Sequence, residues 1–197
     1  MGLSRGKTFN QATLDEVERF LTDQYFSRGK YAVQVDTKVE EVAGNRVKIA
    51  VDIVEGKRSK IRQINVVGNE AFSDDDLLAD FKLQTPNWLS WYTKDDQYSK
   101  QKLQADLEAL RSFYQNRGYL EFTIESTQVS ISPDKEEVFL TVNISEGSLY
   151  KVSTIGIAGE MVVAEPEMRS LLAIKPGDVF SRSKMQQSVK ALSERLG

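Results

Sequence analysis

Cysteine and histidine are both absent from the 197 residues. Their absence excludes a disulfide, a Cys/His zinc site, a thiol nucleophile and a Ser-His-Asp triad. Chemistry based on carboxylates, lysine, serine or tyrosine stays open, but no pair of carboxylates stands out as an acid/base couple. No stretch approaches the roughly 18–20 apolar residues of a membrane helix. The segment from Met1 to Phe20 also lacks the apolar core of a signal peptide. Excess positive charge is missing too: 26 Lys and Arg against 29 Asp and Glu leave a net charge of −3. That argues against a nucleic-acid binder held by bulk charge. What is present, 28% charged and 40% hydrophobic residues, is ordinary for a globular chain of one large or two average domains.

Short internal echoes recur at consistent offsets. Tyr25-Phe26-Ser27-Arg28-Gly29-Lys30-Tyr31 resembles Tyr114-Gln115-Asn116-Arg117-Gly118-Tyr119-Leu120. Glu55-Gly56 returns as Glu146-Gly147, and Ile64-Asn65-Val66-Val67-Gly68 as Ile155-Gly156-Ile157-Ala158-Gly159. Gly6-x-x-Phe9-Asn10-x-x-x-Leu14 returns as Gly177-x-x-Phe180-Ser181-x-x-x-Met185. These echoes define a repeat of about 90 residues.

The middle repeat is complete. Lys60 to Val67 is a β-branched run closed by Gly68-Asn69, a strand and a turn. Ser73 followed by Asp74, Asp75 and Asp76 starts a helix, with Leu77, Leu78 and Phe81 as its apolar stripe. Pro86-Asn87 breaks it. After Ser99, the residues Leu103, Leu107, Leu110 and Tyr114 fall on one face of a second helix, which Gly118 ends. Two strands follow, Phe122–Ile131 and Glu137–Ile144, around a turn at Ser132-Pro133-Asp134-Lys135. Phe122 and Ile124 are even-numbered, whereas Val129 and Ile131 are odd, so a bulge or strong twist is expected near Glu125–Gln128. The order is β-α-α-β-β.

Three units result. Residues 1–57 hold a second helix after Asn10 and a hairpin turning at Gly44-Asn45. Residues 58–148 are the complete unit. Residues 149–197 hold a first strand, Lys151 to Ile157, and two helices. The chain therefore reads as an excerpt of a tandem array. Glu55-Gly56 and Glu146-Gly147 mark junctions with almost no linker.

Several segments mimic chemistry. Gly2-Leu3-Ser4-Arg5-Gly6-Lys7-Thr8 has three residues between its glycines where a phosphate-binding loop needs four, and no strand precedes it. Asp74-Asp75-Asp76 and Asp95-Asp96 lack the calcium-loop pattern and read as a helix start and a polar loop. The Trp88, Leu89, Trp91 and Tyr92 cluster either packs over the helix ends and a domain junction or contacts a partner. The Leu83–Tyr98 connection has no glycine, which removes the Gly-x-x-Gly loop of an RNA-binding KH module.

The segments Ile64-Asn65-Val66-Val67-Gly68-Asn69-Glu70-Ala71-Phe72, Arg117-Gly118-Tyr119, Ser126-Thr127-Gln128-Val129-Ser130 and Val142-Asn143-Ile144-Ser145-Glu146-Gly147 resemble the polypeptide-transport-associated (POTRA) repeats of outer-membrane β-barrel assembly factors. The resemblance covers essentially the whole chain. It implies the end of a second repeat, a whole third and the first half of a fourth. The implied fold class is α+β: tandem units, each a three-stranded mixed sheet with two helices on one face. It further implies a periplasmic scaffold at the outer membrane, continuous with a membrane barrel in the full-length protein, with no catalytic activity and no cofactor or metal. The implied partners are unfolded outer-membrane protein precursors and accessory lipoproteins such as the propeller-shaped BamB. Nucleic acid is not among them. The POTRA region of a two-partner secretion pore is the alternative.

If the unit's third strand is central, Phe122–Ile131 is a sheet edge able to add an extended peptide. The docking site is therefore expected at Thr127, Gln128, Val129, Ser130 and Ile131, with Val129 and Ile131 facing away from the surface used by Phe122 and Ile124. By resemblance, Leu83 and Gln84 at the end of the first helix join the lipoprotein contact.

Overall fold

The computed structural model describes residues 8–158 and 163–196. The glycine-rich start before Thr8 and the expected turn at Gly159 lie outside the described residues. The first helix, α1, spans Gln11–Ser27. Asn10 caps it as its spacing predicts, its side-chain oxygen accepting the Ala12 N–H at 2.9 Å. Strands β1 (Gln34–Val42) and β2 (Arg46–Val54) form an antiparallel hairpin with Val35 opposite Ile53.

The middle repeat follows the expected order. It runs through β3 (Lys60–Val67), α2 (Asp74–Leu78), a single helical turn α3 (Ser90–Thr93), α4 (Lys100–Gln115), β4 (Thr123–Ile131) and β5 (Glu137–Ser145). α3 forms inside the loop expected after Pro86-Asn87. The strands form one sheet in the order β3-β5-β4. β5 is central and alternates cleanly, with Val138, Leu140, Val142 and Ile144 all buried. β3 runs parallel to β5: Lys60 N–H donates to the Glu136 carbonyl at 2.8 Å, and at the far end Gly68 lies against the backbone of Ile144. Helices α5 (Glu165–Ser170) and α6 (Arg182–Leu196) complete the chain.

Two expectations fail here. No strand forms over Lys151 to Ile157; apart from an isolated bridge between Lys151 and Val179, that segment is irregular. In the middle repeat, the corresponding strand β3 is held by β5, and among the described residues no strand takes β5's place here. Leu107 is half-buried, whereas Asp106 is fully buried. The inward face of α4 is therefore Leu103, Asp106, Leu110 and Tyr114, a polar residue standing inside an otherwise apolar stripe.

The contacts divide into two compact units that cut across the repeats. One takes the described residues up to Ile64 with Lys82–Gln104 and Val129–Leu140. Its core contains Leu14, Tyr31, Val33, Ile61, Leu83, Tyr98, Leu103 and Leu140. The other takes Asn65–Phe81, Ala105–Gln128 and the described residues from Thr141 onward. In it Tyr114 stacks on Phe122 with ring centres 4.3 Å apart, and Phe72 meets Phe113, Tyr114 and Tyr119 edge-on.

Each unit encloses one repeat junction, and the two junctions are built alike. After α1, the Gly29 carbonyl accepts the Ser59 N–H at 2.8 Å, and Ser59 accepts from Tyr98 at 3.3 Å. After α4, the Gly118 carbonyl accepts the Tyr150 N–H at 2.9 Å, and Tyr150 accepts from Phe180 at 3.0 Å. One step on, Ile61 donates to Asp96 at 2.7 Å and Val152 to Asp178 at 2.9 Å. The Glu-Gly echo supports the same joints. Glu55 accepts from the Tyr25 hydroxyl at 3.0 Å and pairs with Lys30. Glu146 accepts from the Tyr114 hydroxyl at 2.7 Å and from the Ala71 N–H at 3.1 Å.

Gly29 and Gly118 hold left-handed backbone, with φ of +77° and +96°. A Cβ on Gly29 would stand 2.5 Å from the Tyr98 carbonyl oxygen, which is backbone. On Gly118 the nearest atoms, at 2.7 and 2.8 Å, are side-chain methyls of Leu149 and Val179, which can move aside, and the nearest backbone atom, the Tyr150 carbonyl oxygen, is farther away at 3.0 Å. Both alanine variants should lose roughly 1–2 kcal/mol from the left-handed conformation, and Gly29→Ala should lose more than Gly118→Ala. Urea unfolding followed by circular dichroism decides; equal losses would mean that the close approach at Tyr98 carries no strain.

Burial, and then the bond to Glu146, raise the Tyr114 pKa above its ordinary 10.0. Burial against Tyr98 raises that of Tyr31. A phenol shifted this way stabilises the fold fully below pH 10, its unfolded value. That contribution drains away as pH climbs towards the folded value. Stability should therefore stay level as neutral pH rises to 10 and fall beyond it. Tyr114→Phe, at a neutral-pH cost of about 1 kcal/mol, should soften the alkaline fall. An identical alkaline slope in parent and variant would remove Tyr114 from this account.

Candidate functional site

β4 lies at the margin of the three-stranded sheet, with β5 on one side. Two bonds fix its register. Ser132 N–H donates to the Glu137 carbonyl at 3.0 Å, and the Asn143 amide donates to the Ser126 hydroxyl at 2.8 Å. Both belong to one unshifted antiparallel register, so β4 is regular from Ser126 to Ile131. In such a ladder, residues alternate between bonding their partner and facing away from it. Gln128 and Ser130 then bond β5, while the N–H and C=O groups of Thr127, Val129 and Ile131 point to the open side.

The same register sets the side chains. Asn143 lies on the face of β5 opposite Val142 and Ile144, and Ser126 joins it there. Thr127, Val129 and Ile131 fall opposite Val142, Leu140 and Val138, on the buried face. Phe122 lies on that face too, stacked on Tyr114. The phase shift is thus a local irregularity between Ile124 and Ser126, where the parity of the sequence places it. The orientation expected of Val129 and Ile131 is corrected: they return to the helix side after the shift. Val129 is half-buried and Ile131 40% exposed, since the covering layer thins toward the hairpin end. What β4 offers to the outside is mainly backbone, with the exposed Gln128 and Ser130 side chains on the uncovered face.

Leu83 is also corrected. At 1% exposure it is a core residue with no side-chain surface to give a partner. Gln84 beside it is half-buried, and its N–H is bound to the Asp95 carbonyl at 3.1 Å. Leu83 is therefore committed to internal packing, while the Gln84 side chain stays partly exposed.

The remaining candidates separate by what they touch. Ser73 and Asp76 close a reciprocal cap on α2, so the Asp74–Asp76 run is a helix start. Asp96 is 2% exposed and pairs with Lys60 at 2.8 Å. Asp95 accepts the Ser90 hydroxyl at 2.6 Å, which holds its carboxyl below the usual range. Among the described residues, no group of three or more acidic side chains is placed to hold a metal ion. None of the described helices is long and apolar enough to cross a membrane. The packing reading of the aromatic cluster fails: Trp88, Trp91 and Tyr92 are 82%, 79% and 76% exposed, and Leu89 is 42% exposed.

The POTRA repeat, described as surface antigen variable number repeat, matches residues 1–56, 59–147 and 150–197. The chain belongs to the POTRA family. Over all 197 residues it is 34% identical to outer membrane protein assembly factor BamA of Neisseria meningitidis serogroup B, covering 25% of that protein. It is 30% identical over 200 residues to BamA of Buchnera aphidicola, covering all of this chain and 32% of the relative. The chain thus spans a quarter to a third of these relatives' lengths. The crystal structure of Haemophilus influenzae BamA POTRA3-5 superposes on 97% of this chain and 72% of that one, with a TM-score of 0.55 at 18% identity. That likeness concerns the fold: tandem POTRA units of α+β architecture.

The edge geometry sets an amide-exchange pattern. Gln128 and Ser130 should exchange slowly, because β5 accepts their N–H groups, and Thr127, Val129 and Ile131 should exchange fast. Alternating protection along β4 in a native-state exchange experiment checks this; protection of Val129 equal to that of Ser130 would mean that the edge is already covered.

Proposed function

We propose that this POTRA chain is the periplasmic scaffold and client-receptor region of an outer-membrane protein assembly machine, organised as units 1–57, 58–148 and 149–197. In the full-length protein it stands in front of a membrane barrel. It is not an enzyme. The free side of β4 takes up extended segments of nascent β-barrel precursors as an added strand, and accessory lipoproteins such as BamB dock on the same edge. Handing a client on to the barrel then needs no bond-making chemistry, only reversible pairing.

The observation that carries this reading is the outward backbone of Thr127, Val129 and Ile131 at an uncovered sheet margin. Backbone pairing reads no side-chain sequence, which suits a receptor for many clients that share only a strand-forming tendency. The full relatives' name, outer membrane protein assembly factor, supports the same process.

Proline placement tests the mode of recognition. Val129→Pro removes an N–H that faces outward, a position where an edge strand tolerates proline. It should stay folded and bind a denaturant-diluted outer-membrane protein precursor about tenfold more weakly, the loss of one or two backbone bonds at ~1 kcal/mol each. Ser130→Pro removes an N–H used by β5 and should instead destabilise the middle unit. A folded Val129→Pro chain that captures precursor as well as the parent would rule out strand addition at this edge.

A further inference from the structure

The aromatic turn at α3 is not used by strand addition, and its chemistry differs from that of β4. Trp88, Leu89, Trp91 and Tyr92 project from α3 and the two residues before it, and Trp91 and Tyr92 meet edge-on at 5.9 Å. Four large apolar side chains exposed together on so short a segment form a patch that folding alone does not explain.

The turn is built to hold its shape without a partner. Asn87 Oδ1 accepts the Leu89 N–H at 2.9 Å, and the Asn87 N–H donates to Ser90 Oγ at 3.0 Å. The N–H groups of Tyr92 and Thr93 close on the Leu89 carbonyl, and that of Lys94 on Ser90. Lys94 ends the turn in left-handed backbone. The foot is anchored as well, by Ile61 N–H on the Asp96 carbonyl and by the Lys60–Asp96 ion pair. With these backbone groups engaged, the turn offers no ladder for an extended peptide.

Charge completes the picture. Of the two acidic residues of the connection, Asp96 is buried and paired with Lys60, while the half-buried Asp95 accepts the Ser90 hydroxyl. Lys94 and Lys100 are exposed, and the Lys102 ammonium lies on the Lys94 carbonyl at 2.8 Å. Lys94 thus follows the aromatic residues directly, and Lys100 and Lys102 open the next helix, three cations against the single unpaired carboxylate of Asp95. Trp and Tyr, with an apolar body and a polar handle, are the residues that settle at the headgroup level of a bilayer, and lysine beside them meets lipid phosphates.

We propose that this turn is a lipid-surface contact, in which Trp88, Leu89, Trp91 and Tyr92 enter the headgroup boundary of an anionic bilayer leaflet while Lys94, Lys100 and Lys102 meet the phosphates. The binding is peripheral and reversible: four side chains and a few charges hold a surface without spanning it.

The chain has only two tryptophans, and both lie in this turn, so tryptophan emission reports on the site alone. Adding vesicles of phosphatidylethanolamine with phosphatidylglycerol should shift that emission to the blue, expose it to quenching by brominated lipid, and float the chain with the vesicles. Binding should be stronger than to phosphatidylcholine vesicles and should weaken with salt. The combined variant Trp88→Ser, Trp91→Ser, Tyr92→Ser should float roughly tenfold or more less well, with circular dichroism and urea unfolding unchanged because these side chains are exposed. Unshifted emission with no flotation overturns the proposal, as does a triple variant that floats like the parent. Equal binding to both lipid mixtures overturns the part given to the lysines. A blue shift caused by an unfolded outer-membrane precursor without lipid, and not by vesicles, would assign the turn to protein docking instead.

Discussion

The carbonyl of a helix-ending glycine holds these repeats in series. At Gly29 and Gly118 the chain leaves a long helix in left-handed backbone, which turns a carbonyl toward the first residue of the next repeat. That residue's own carbonyl then receives the N–H of the segment entering the next long helix. Two hydrogen bonds thus tie a helix end, the start of the next repeat and a later helix entry into one joint. The tyrosine in the last turn of the helix reaches the glutamate of the Glu-Gly pair and brings the end of the hairpin to the same place. The joint explains why compact units form around the junctions rather than within the repeat boundaries. It also explains why the echoes in the sequence fall on Tyr, Gly and Glu: these residues make the joint.

Much of this was legible because it is local. Helical spacing located α1 and α4, Asn10 and Ser73 marked the starts of α1 and α2, and the change of parity between Ile124 and Val129 located the irregularity in β4. The misses share a different cause. The Lys151–Ile157 segment has strand-like sequence, but a strand needs a neighbour, and the neighbour is not a property of the segment. Asp106 escapes helical periodicity, which counts apolar residues and is blind to a carboxylate held in a seam. Leu83 follows a helix of only five residues, and its burial depends on how the chain after α2 folds back onto the core. The aromatic turn shows the limit most clearly. Its residues read equally well as packing or as contact, and only the bonds closed around Asn87, Ser90 and Asp95 decide that they point outward.

The two proposals assign the two exposed features of the middle repeat to different chemistries. The edge of β4 presents unpaired backbone, which is general in what it accepts and directional in how it accepts it. The turn at α3 presents rings and ammonium groups, which are indifferent to direction and respond to an interface. A receptor that meets strand-forming chains close to a membrane has use for both, and one repeat carries them without either borrowing residues from the other.

The parallel pairing of β3 with β5 carries a mechanical consequence. The middle repeat begins in one of these strands and ends in the other, and the two lie side by side pointing the same way. Tension applied through the chain, at the start of β3 and the end of β5, pulls the strands past one another along their length. The hydrogen bonds between them are loaded in shear and must yield together rather than in sequence, as they would in a hairpin opened from its ends.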